Sequence, residues 1–194
     1  MIEIIPKLAE NQRVRAGQIY YQAFRRKLQP LVGSPAQASQ ILTAGLNLDM
    51  VMGVVVDGEL SGIAGLHTRQ GIFLQVVLRD SLHNLGPVRG LFAWVVINLF
   101  TVSPNCSPDE LRIAALAVDS ALQGQGLGSR LLEAVFDRAR REGYHAVRLE
   151  VVDTNLGARR LYERFGFGII ATHRYPIPRN WLGFSKDHVM VKKL

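Results

Sequence analysis

An apolar strand, a glycine-rich turn and an amphipathic helix follow one another without a break between Leu111 and Glu142. The strand reads LRIAALAV, the turn QGQGLG and the helix SRLLEAVFDRARRE. Backbone N–H groups at the start of a helix lack intrahelical partners, and the helix dipole adds partial positive charge there. Glycines let a ligand approach the backbone closely because no Cβ stands in the way. We therefore expect this stretch to bind a phosphate or pyrophosphate group.

The rest of the chain predicts one domain of strands and helices around this stretch. The Asp57-Gly58 pair between two apolar runs predicts an antiparallel hairpin with a type I′ turn. A helix connects the strands at 111–118 and 147–152, so these two should lie parallel. The periodicity predicts further strands over residues 2–9, 50–56, 59–67, 167–172 and 188–192, and helices over residues 11–29, 36–44, 129–142 and 155–165.

Residues 69–105 form an unusual apolar segment. Ile72, Phe73, Val76 and Val77 predict one short helical face, and the run 88–100 is apolar almost all round. That run is too short to span a bilayer, which takes about 20 residues. We expect a buried helical pair that covers the sheet. A dimer interface, an apolar acceptor tunnel and a membrane-facing surface are the alternatives.

Composition and charge exclude several classes of protein. Cys106 is the single cysteine, so one chain cannot build a disulfide framework, and the histidines are scattered without metal-ligand spacing. The N-terminus MIEIIPKLAENQ lacks the pattern of a signal peptide, and we expect a cytoplasmic protein without a metal. A net charge of +7 suits an anionic cofactor. Nucleic acid is not expected as the main partner, because no Arg-rich or aromatic-interleaved basic motif is present.

Two blocks in a fixed order carry a family resemblance. Gln123, Gly126 and Gly128 match Gln-x-x-Gly-x-Gly, and LEVVDTNLGARRLYERFGF follows about 20 residues later. Together with the closing DHVMVKKL, these blocks resemble the GNAT superfamily of acyl-CoA-dependent N-acyltransferases. The resemblance implies an α/β (α+β) fold with a mixed sheet of about seven strands, splayed central parallel strands and flanking helices. Residues 69–105 would then be a helical insertion between strands three and four.

The resemblance implies that acetyl-CoA is the co-substrate. Its pyrophosphate would lie on the backbone of the glycine-rich turn, and its pantetheine arm would pair with the free edge of the preceding strand. Asn155 would hydrogen-bond the arm, although Asn is also a favoured helix N-cap. The expected cofactor-binding residues are Leu116, Ala117, Val118, Gln123, Gly124, Gln125, Gly126, Leu127, Gly128, Ser129, Asn155 and Tyr162.

The resemblance also assigns catalytic roles. Tyr162 would be the general acid that protonates the thiolate leaving group. Glu150 precedes it by twelve positions, an arrangement similar to that of ribosomal-protein N-terminal acetyltransferases, and would be the general base. Asp119, His67 or a chain of waters remain alternatives for the base. The backbone N–H of Val118 would stabilise the oxyanion.

The expected function is therefore transfer of an acetyl group from acetyl-CoA to a primary amine. Nothing around Cys106 indicates an acyl-enzyme nucleophile, so direct transfer through a ternary complex is expected. A non-catalytic acyl-CoA sensor or interaction protein is the alternative. The basic ends of the chain leave a third option, action on charged tRNA or ribosomal protein. A homodimer formed through residues 69–105 is also left open.

Overall fold

Seven strands form one mixed sheet in the computed structural model, which describes residues 1–32, 34–101, 107–175 and 183–194. The strands are β1 (Ile2–Ile5), β2 (Val51–Val56), β3 (Glu59–His67), β4 (Glu110–Val118), β5 (Ala146–Val152), β6 (Gly168–Arg174) and β7 (Lys186–Lys193). Their order across the sheet is β1-β2-β3-β4-β5-β7-β6. The predicted fold class is confirmed.

Helices cover both faces of this sheet. They are α1 (Arg13–Val32), α2 (Pro35–Gly45), α3 (Leu78–Leu85), α4 (Pro87–Thr101), α5 (Leu127–Arg141) and α6 (Leu156–Arg164). Helices α1, α2 and α4 contribute to one apolar core on the first face, with Ile19, Ile41 and Ala93 fully or almost fully buried. Helices α5 and α6 pack on the other face, where Leu131 and Tyr162 belong to the second core. Burial of both faces explains why β2 and β3 are apolar along nearly their whole length.

The hairpin between β2 and β3 has the predicted turn. Asp57 and Gly58 both have positive φ, at 50° and 86°, as a type I′ turn requires. Val56 pairs with Glu59 directly across the turn, and the two strands run antiparallel. The Asp-Gly pair therefore fixes the register of this half of the sheet.

Strands β4 and β5 are parallel and then separate. They pair only from Glu110 opposite Ala146 to Ile113 opposite Leu149. Beyond that point β5 continues against β7, whereas β4 continues against β3 alone. Ala114 is a bulge, because Gly65 of β3 pairs with Ala115 while its neighbour pairs with Ile113. The splay expected of the central parallel strands is present, and it leaves one edge of β4 open.

The segment between β3 and β4 differs from the prediction in two ways. Residues 72–77 are not a helix: Leu74 pairs with Leu46 in an isolated bridge, and Asn47 N donates to Phe73 O at 2.9 Å. These backbone hydrogen bonds to the end of α2 hold the segment extended, so helix α3 begins only at Leu78. Phe73, Leu74 and Val76 are buried there and Val77 is exposed, and the short window was wrongly interpreted as helical.

Helix α4 is present, but the prediction that it is buried is wrong for one of its faces. Val88, Leu91, Phe92 and Val95 are between 46% and 84% exposed, whereas Ala93 and Ile97 face the core. Exposure follows the i, i+3, i+4, i+7 spacing of a single helix face. Within the described ranges, no helix has the length and apolar character needed to cross a membrane. Cys106 lies outside the described residues.

Candidate active site

The glycine-rich turn joins the open end of β4 to helix α5. A short 3-10 turn at Ser120–Leu122 follows the strand, and residues 123–126 are exposed before the helix starts. Gly124 and Gly126 have φ of 80° and 79°, and a Cβ added to either would meet nothing within 4 Å. Gly126 is the N-cap of α5, so the first amides of a 15-residue helix are open to a ligand. This turn suits a pyrophosphate group.

Asp119 stabilises the start of the turn through hydrogen bonds to both of its carboxylate oxygens. Its Oδ1 accepts a hydrogen bond from Ala121 N at 3.0 Å, and its Oδ2 pairs with Arg15 Nη2 of helix α1 at 2.5 Å. The backbone hydrogen bond from Ala121 and the nearby Arg15 guanidinium lower the pKa of this carboxyl group. Asp119 does not line the cavity described below. As an alternative base it is therefore poorly placed, and it ties helix α1 to the turn.

A cavity of about 510 Å³ lies where β4 and β5 separate. It brings together four of the predicted site residues, Leu116, Glu150, Asn155 and Tyr162. Ala117, Val118 and residues 123–129 do not line it. The cavity is also lined by Gln22, Ala23, Phe24, Arg25, Ile113, Ala114, Ala115, Leu149, Val151, Val152, Thr154, Ala158, Gly183 and Phe184.

Tyr162 reaches the cavity from helix α6. Its side chain is almost fully buried, and its ring contacts Phe167 edge-on with the centroids 5.8 Å apart. Burial raises the pKa of Tyr162 to about 12, so the phenol keeps its proton at any physiological pH. A free thiol has a pKa of about 8.5, so complete proton transfer to a thiolate would be uphill. The environment therefore favours hydrogen-bond donation to a developing thiolate over full protonation.

Asn155 has the local role that its residue type favours. Its side-chain Oδ1 accepts a hydrogen bond from Ala158 N at 3.1 Å and caps helix α6. The residue is exposed and also lines the cavity. Capping occupies one acceptor, and the side-chain NH₂ group remains a donor that can face a ligand.

Glu150 is held by an arginine that sequence analysis missed. Oε2 of Glu150 accepts hydrogen bonds from Arg112 Nε at 3.1 Å and from Arg112 Nη2. Arg112 lies on β4 and is only 5% exposed. Arg148 Nε lies 3.8 Å from Oε1 of the same carboxylate. The interior of β4 thus carries a guanidinium that pairs with the predicted base on β5.

His67 packs behind this ion pair. Arg112 Nη1 lies 3.4 Å from His67 Nδ1, and the imidazole is buried. Burial, and then the charge of Arg112, lowers the pKa of His67 to about 4, so the ring is neutral at physiological pH. His67 does not line the cavity. It is therefore a poor candidate for the base, and it acts as an acceptor for Arg112.

A second polar cluster lies beside the cavity on β6 and β7. Buried Asp187 accepts a hydrogen bond from Tyr175 Oη at 2.6 Å and contacts His173 Nδ1 at 3.1 Å. The ring of Tyr175 packs edge-on against Phe184, with centroids 5.3 Å apart, and Phe184 lines the cavity. The scattered spacing of the histidines gave His173 no predicted role. The buried aspartate in the closing DHVMVKKL block was the available signal for this cluster.

A mixed sheet whose central parallel strands separate beside a glycine-rich helix N-terminus is the architecture expected of the acyl-CoA-dependent acyltransferases. Residues 21–167 match the family model described as the acetyltransferase (GNAT) family. This match covers most of the chain, and the chain belongs to that family. In the described part of the chain, no group of three or more His, Cys, Asp or Glu residues is arranged to hold a metal ion.

Named relatives match a shorter part of the chain. A ribosomal protein bS18 alanine N-acetyltransferase of Haemophilus ducreyi is 38% identical over 72 residues, which are 36% of this chain and 50% of that protein. A mycothiol acetyltransferase of Beutenbergia cavernae is 40% identical over 76 residues, which are 39% of this chain and 25% of that protein. The alignments thus span half or less of these relatives.

Solved structures share the fold over the whole chain. An acetyltransferase of Salmonella typhimurium, solved with its cofactor acetyl-CoA, superposes with a TM-score of 0.61 at 16% sequence identity. The superposition covers 100% of this chain and 94% of that one. At this identity, the likeness extends to the fold.

Proposed function

We propose that this chain transfers an acetyl group from acetyl-CoA to a primary amine. The observation that carries the proposal is the cavity at the β4–β5 split, where Glu150 and Tyr162 face one space beside the open edge of Leu116. The glycine-rich turn lies at the end of the same strand. One cavity therefore offers a base, a hydrogen-bond donor and a binding edge next to the glycine-rich turn of residues 123–129, the pyrophosphate cradle.

The cradle and the strand edge would hold the two ends of the co-substrate. Backbone amides of residues 123–129 bind the pyrophosphate, since they lie at a helix N-terminus where Gly124 and Gly126 leave open space beside the backbone. At the unpaired edge, Leu116 and Val118 offer backbone groups to the amides of the pantetheine arm, while the backbone of Ala117 faces Ile63 of β3. Asn155 contributes its free NH₂ group. The relative solved with acetyl-CoA supports this choice of ligand.

The chemistry requires a neutral amine and a stabilised leaving group. Glu150 accepts the proton of the attacking amine, and the Val118 N–H donates to the oxyanion as the C–N bond forms. Tyr162 donates a hydrogen bond to sulfur as the C–S bond breaks. The raised pKa of Tyr162 guarantees that this donor is present throughout the working pH range. No residue forms a covalent bond to the acyl group.

The acceptor amine binds in the part of the cavity that is lined by helix α1 and by residues 183 and 184. Phe24 and Phe184 supply aromatic walls, and Gln22 and Arg25 supply polar groups. An α-amine at a peptide N-terminus fits this mixture, since apolar walls bind the first side chain and polar groups bind the backbone. The bS18-alanine acetyltransferase relative supports an N-terminal alanine as the first acceptor to test.

The test is coenzyme A thiol release from acetyl-CoA with a panel of amines. The panel contains a peptide beginning with alanine, the same peptide with its N-terminus blocked, a free amino acid and a polyamine. We expect release with at least one acceptor, and a product heavier by one acetyl group in mass spectrometry. Release that does not depend on an acceptor would contradict amine acetylation.

A non-catalytic acyl-CoA sensor is the competing proposal. It shares the cradle and the strand edge but needs neither Glu150 nor Tyr162. Tight binding of acetyl-CoA without transfer to any member of the panel would favour the sensor. Buried Tyr162 at the cavity favours the enzyme, because a binding protein has no use for a phenol beside the thioester.

A further inference from the structure

Two arginines and two glutamates lie close together on one face of β4 and β5. Arg112 lies opposite Arg148 in the parallel register, and Glu110 and Glu150 flank them along the two strands. Arg148 Nη1 lies 3.8 Å from Glu110 Oε2, and Arg148 Nε lies 3.8 Å from Glu150 Oε1. These separations exceed a hydrogen bond. Among the four residues, Arg112 and Glu150 are therefore the pair in direct contact.

The contact uses only one oxygen of the carboxylate. Nε and Nη2 of Arg112 both donate to Oε2 of Glu150. Within the described ranges Oε1 makes no hydrogen bond, while the residue itself lines the cavity. Two donors of a rigid guanidinium fix the position of Oε2 more tightly than a single flexible ammonium group can. Oε1 is thereby left as the oxygen able to accept a proton.

Stability alone gives a poor account of this arrangement. Burying two charges costs free energy that a pair of apolar side chains would avoid. His67, which contacts Arg112, adds to this cost, because its Nε2 is buried without a hydrogen-bond partner among the described residues. Such an unfavourable group beside a cavity is typical of a functional site, where orientation is maintained at the expense of stability.

We propose that Arg112 is a positioning residue that orients Glu150 for proton removal from the acceptor amine. The inference rests on the proposed function and deepens it. Arg112 binds Oε2 and leaves Oε1 without a hydrogen bond among the described residues, and His67 Nδ1 lies against the other side of the guanidinium. The base on β5 is thus supported by side chains of β4 and β3, next to the point where β4 and β5 separate.

The test compares Arg112→Lys with Arg138→Lys as a matched control. Both changes keep the positive charge and remove a short contact between a largely buried arginine and a glutamate, but Arg138 pairs with Glu142 at the end of helix α5, and neither lines the cavity. We expect kcat of Arg112→Lys to fall at least about tenfold, since misplacing a catalytic group by about 1 Å costs up to about 100-fold. The KM for acetyl-CoA should be unchanged, and Arg138→Lys should retain wild-type kcat.

A double-mutant cycle separates positioning from a purely structural role. In a Glu150→Gln background Arg112 has no base to orient, so adding Arg112→Lys should leave the residual rate within about twofold. Thermal melting of all variants records folding independently. An Arg112→Lys protein that is as fast as the wild type, or that slows the Glu150→Gln protein by the same factor as the wild type, overturns the inference. A wild-type protein that acetylates no amine overturns the proposed function and this role together.

Discussion

Gly126 is the position where the cradle can be changed most cleanly. It has φ of 79° and caps helix α5, and a left-handed conformation costs a residue with a Cβ about 1–2 kcal/mol. The added methyl group of Gly126→Ala would meet nothing within 4 Å, so no steric clash increases that cost. We expect Tm to fall by about 2–8 °C, at about 2–4 °C per kcal/mol for a chain of this length.

The effect of Gly126→Ala on ligand binding should be larger. The methyl group lies on the open side of the turn, where the pyrophosphate must approach the backbone amides. Losing one hydrogen bond to a charged group costs about 1.5–3 kcal/mol. Coenzyme A should therefore bind about 10- to 150-fold more weakly. Isothermal titration calorimetry with coenzyme A measures this change directly.

Gly143→Ala is the matched control. Gly143 follows the C-terminus of the same helix with φ of 75°, and an added Cβ there also meets nothing within 4 Å. The backbone cost is the same, so Tm should fall equally, while coenzyme A affinity should not change. Equal affinity in both variants would refute the placement of the pyrophosphate on the turn.

Three further predictions concern individual side chains. Tyr162→Phe should lower kcat about 10- to 150-fold through loss of a hydrogen bond of about 1.5–3 kcal/mol to the leaving group, with coenzyme A affinity unchanged. In the control Tyr144→Phe, which loses the hydrogen bond from Arg69 N, kcat should stay at the wild-type value. The unfolding free energy should fall by up to about 3 kcal/mol as pH drops from 6.5 to 4, because the unfolded chain protonates His67 near 6.5 whereas burial holds its folded pKa at about 4. Denaturant titrations of His67→Gln should lack that component, and an unchanged pH dependence would contradict it. Tyr21→Phe should leave stability unchanged or raise it by about 1 kcal/mol, since the buried hydroxyl has no partner among the described residues, and a marked loss of Tm would contradict this.

The sequence predicted the parts of the fold whose local signals agree with their tertiary roles. The Asp57-Gly58 turn needs positive φ at both positions, and few other residue pairs meet that requirement. The order strand, helix, strand around residues 111–152 led to a parallel pair, as observed. Local chemistry alone determines such features, so they can be derived without knowing the neighbours.

Residues 72–77 and helix α4 show where local signals are insufficient. The first segment is held extended by hydrogen bonds to Gly45 and Asn47, which are distant in sequence. The apolar composition of α4 predicted burial on all sides, yet Phe92 is 59% exposed. The sequence shows which helix positions are apolar, but it does not show which element packs against them.

Some residues of the candidate site were predicted from the sequence and others were missed. Tyr162, Glu150 and the glycine-rich turn were found because they belong to two blocks with recognisable spacing. Arg112 was missed, since a charged residue in a strand is usually solvated and its burial depends on the pairing of β4 with β5. Asp187 was missed as a partner of His173 and Tyr175 because these contacts depend on the pairing of β6 with β7.

The open edge of β4 and the adjoining turn are the proposed binding site for acetyl-CoA. Hydrogen–deuterium exchange with and without acetyl-CoA tests this placement. We predict slower exchange on ligand addition in peptides covering residues 114–118 and 123–129, and no change at residues 146–149, which strands already pair on both sides. Unchanged exchange in both peptides would contradict this placement, as would protection confined to the separate hollow lined by Lys7, Arg138 and Arg141.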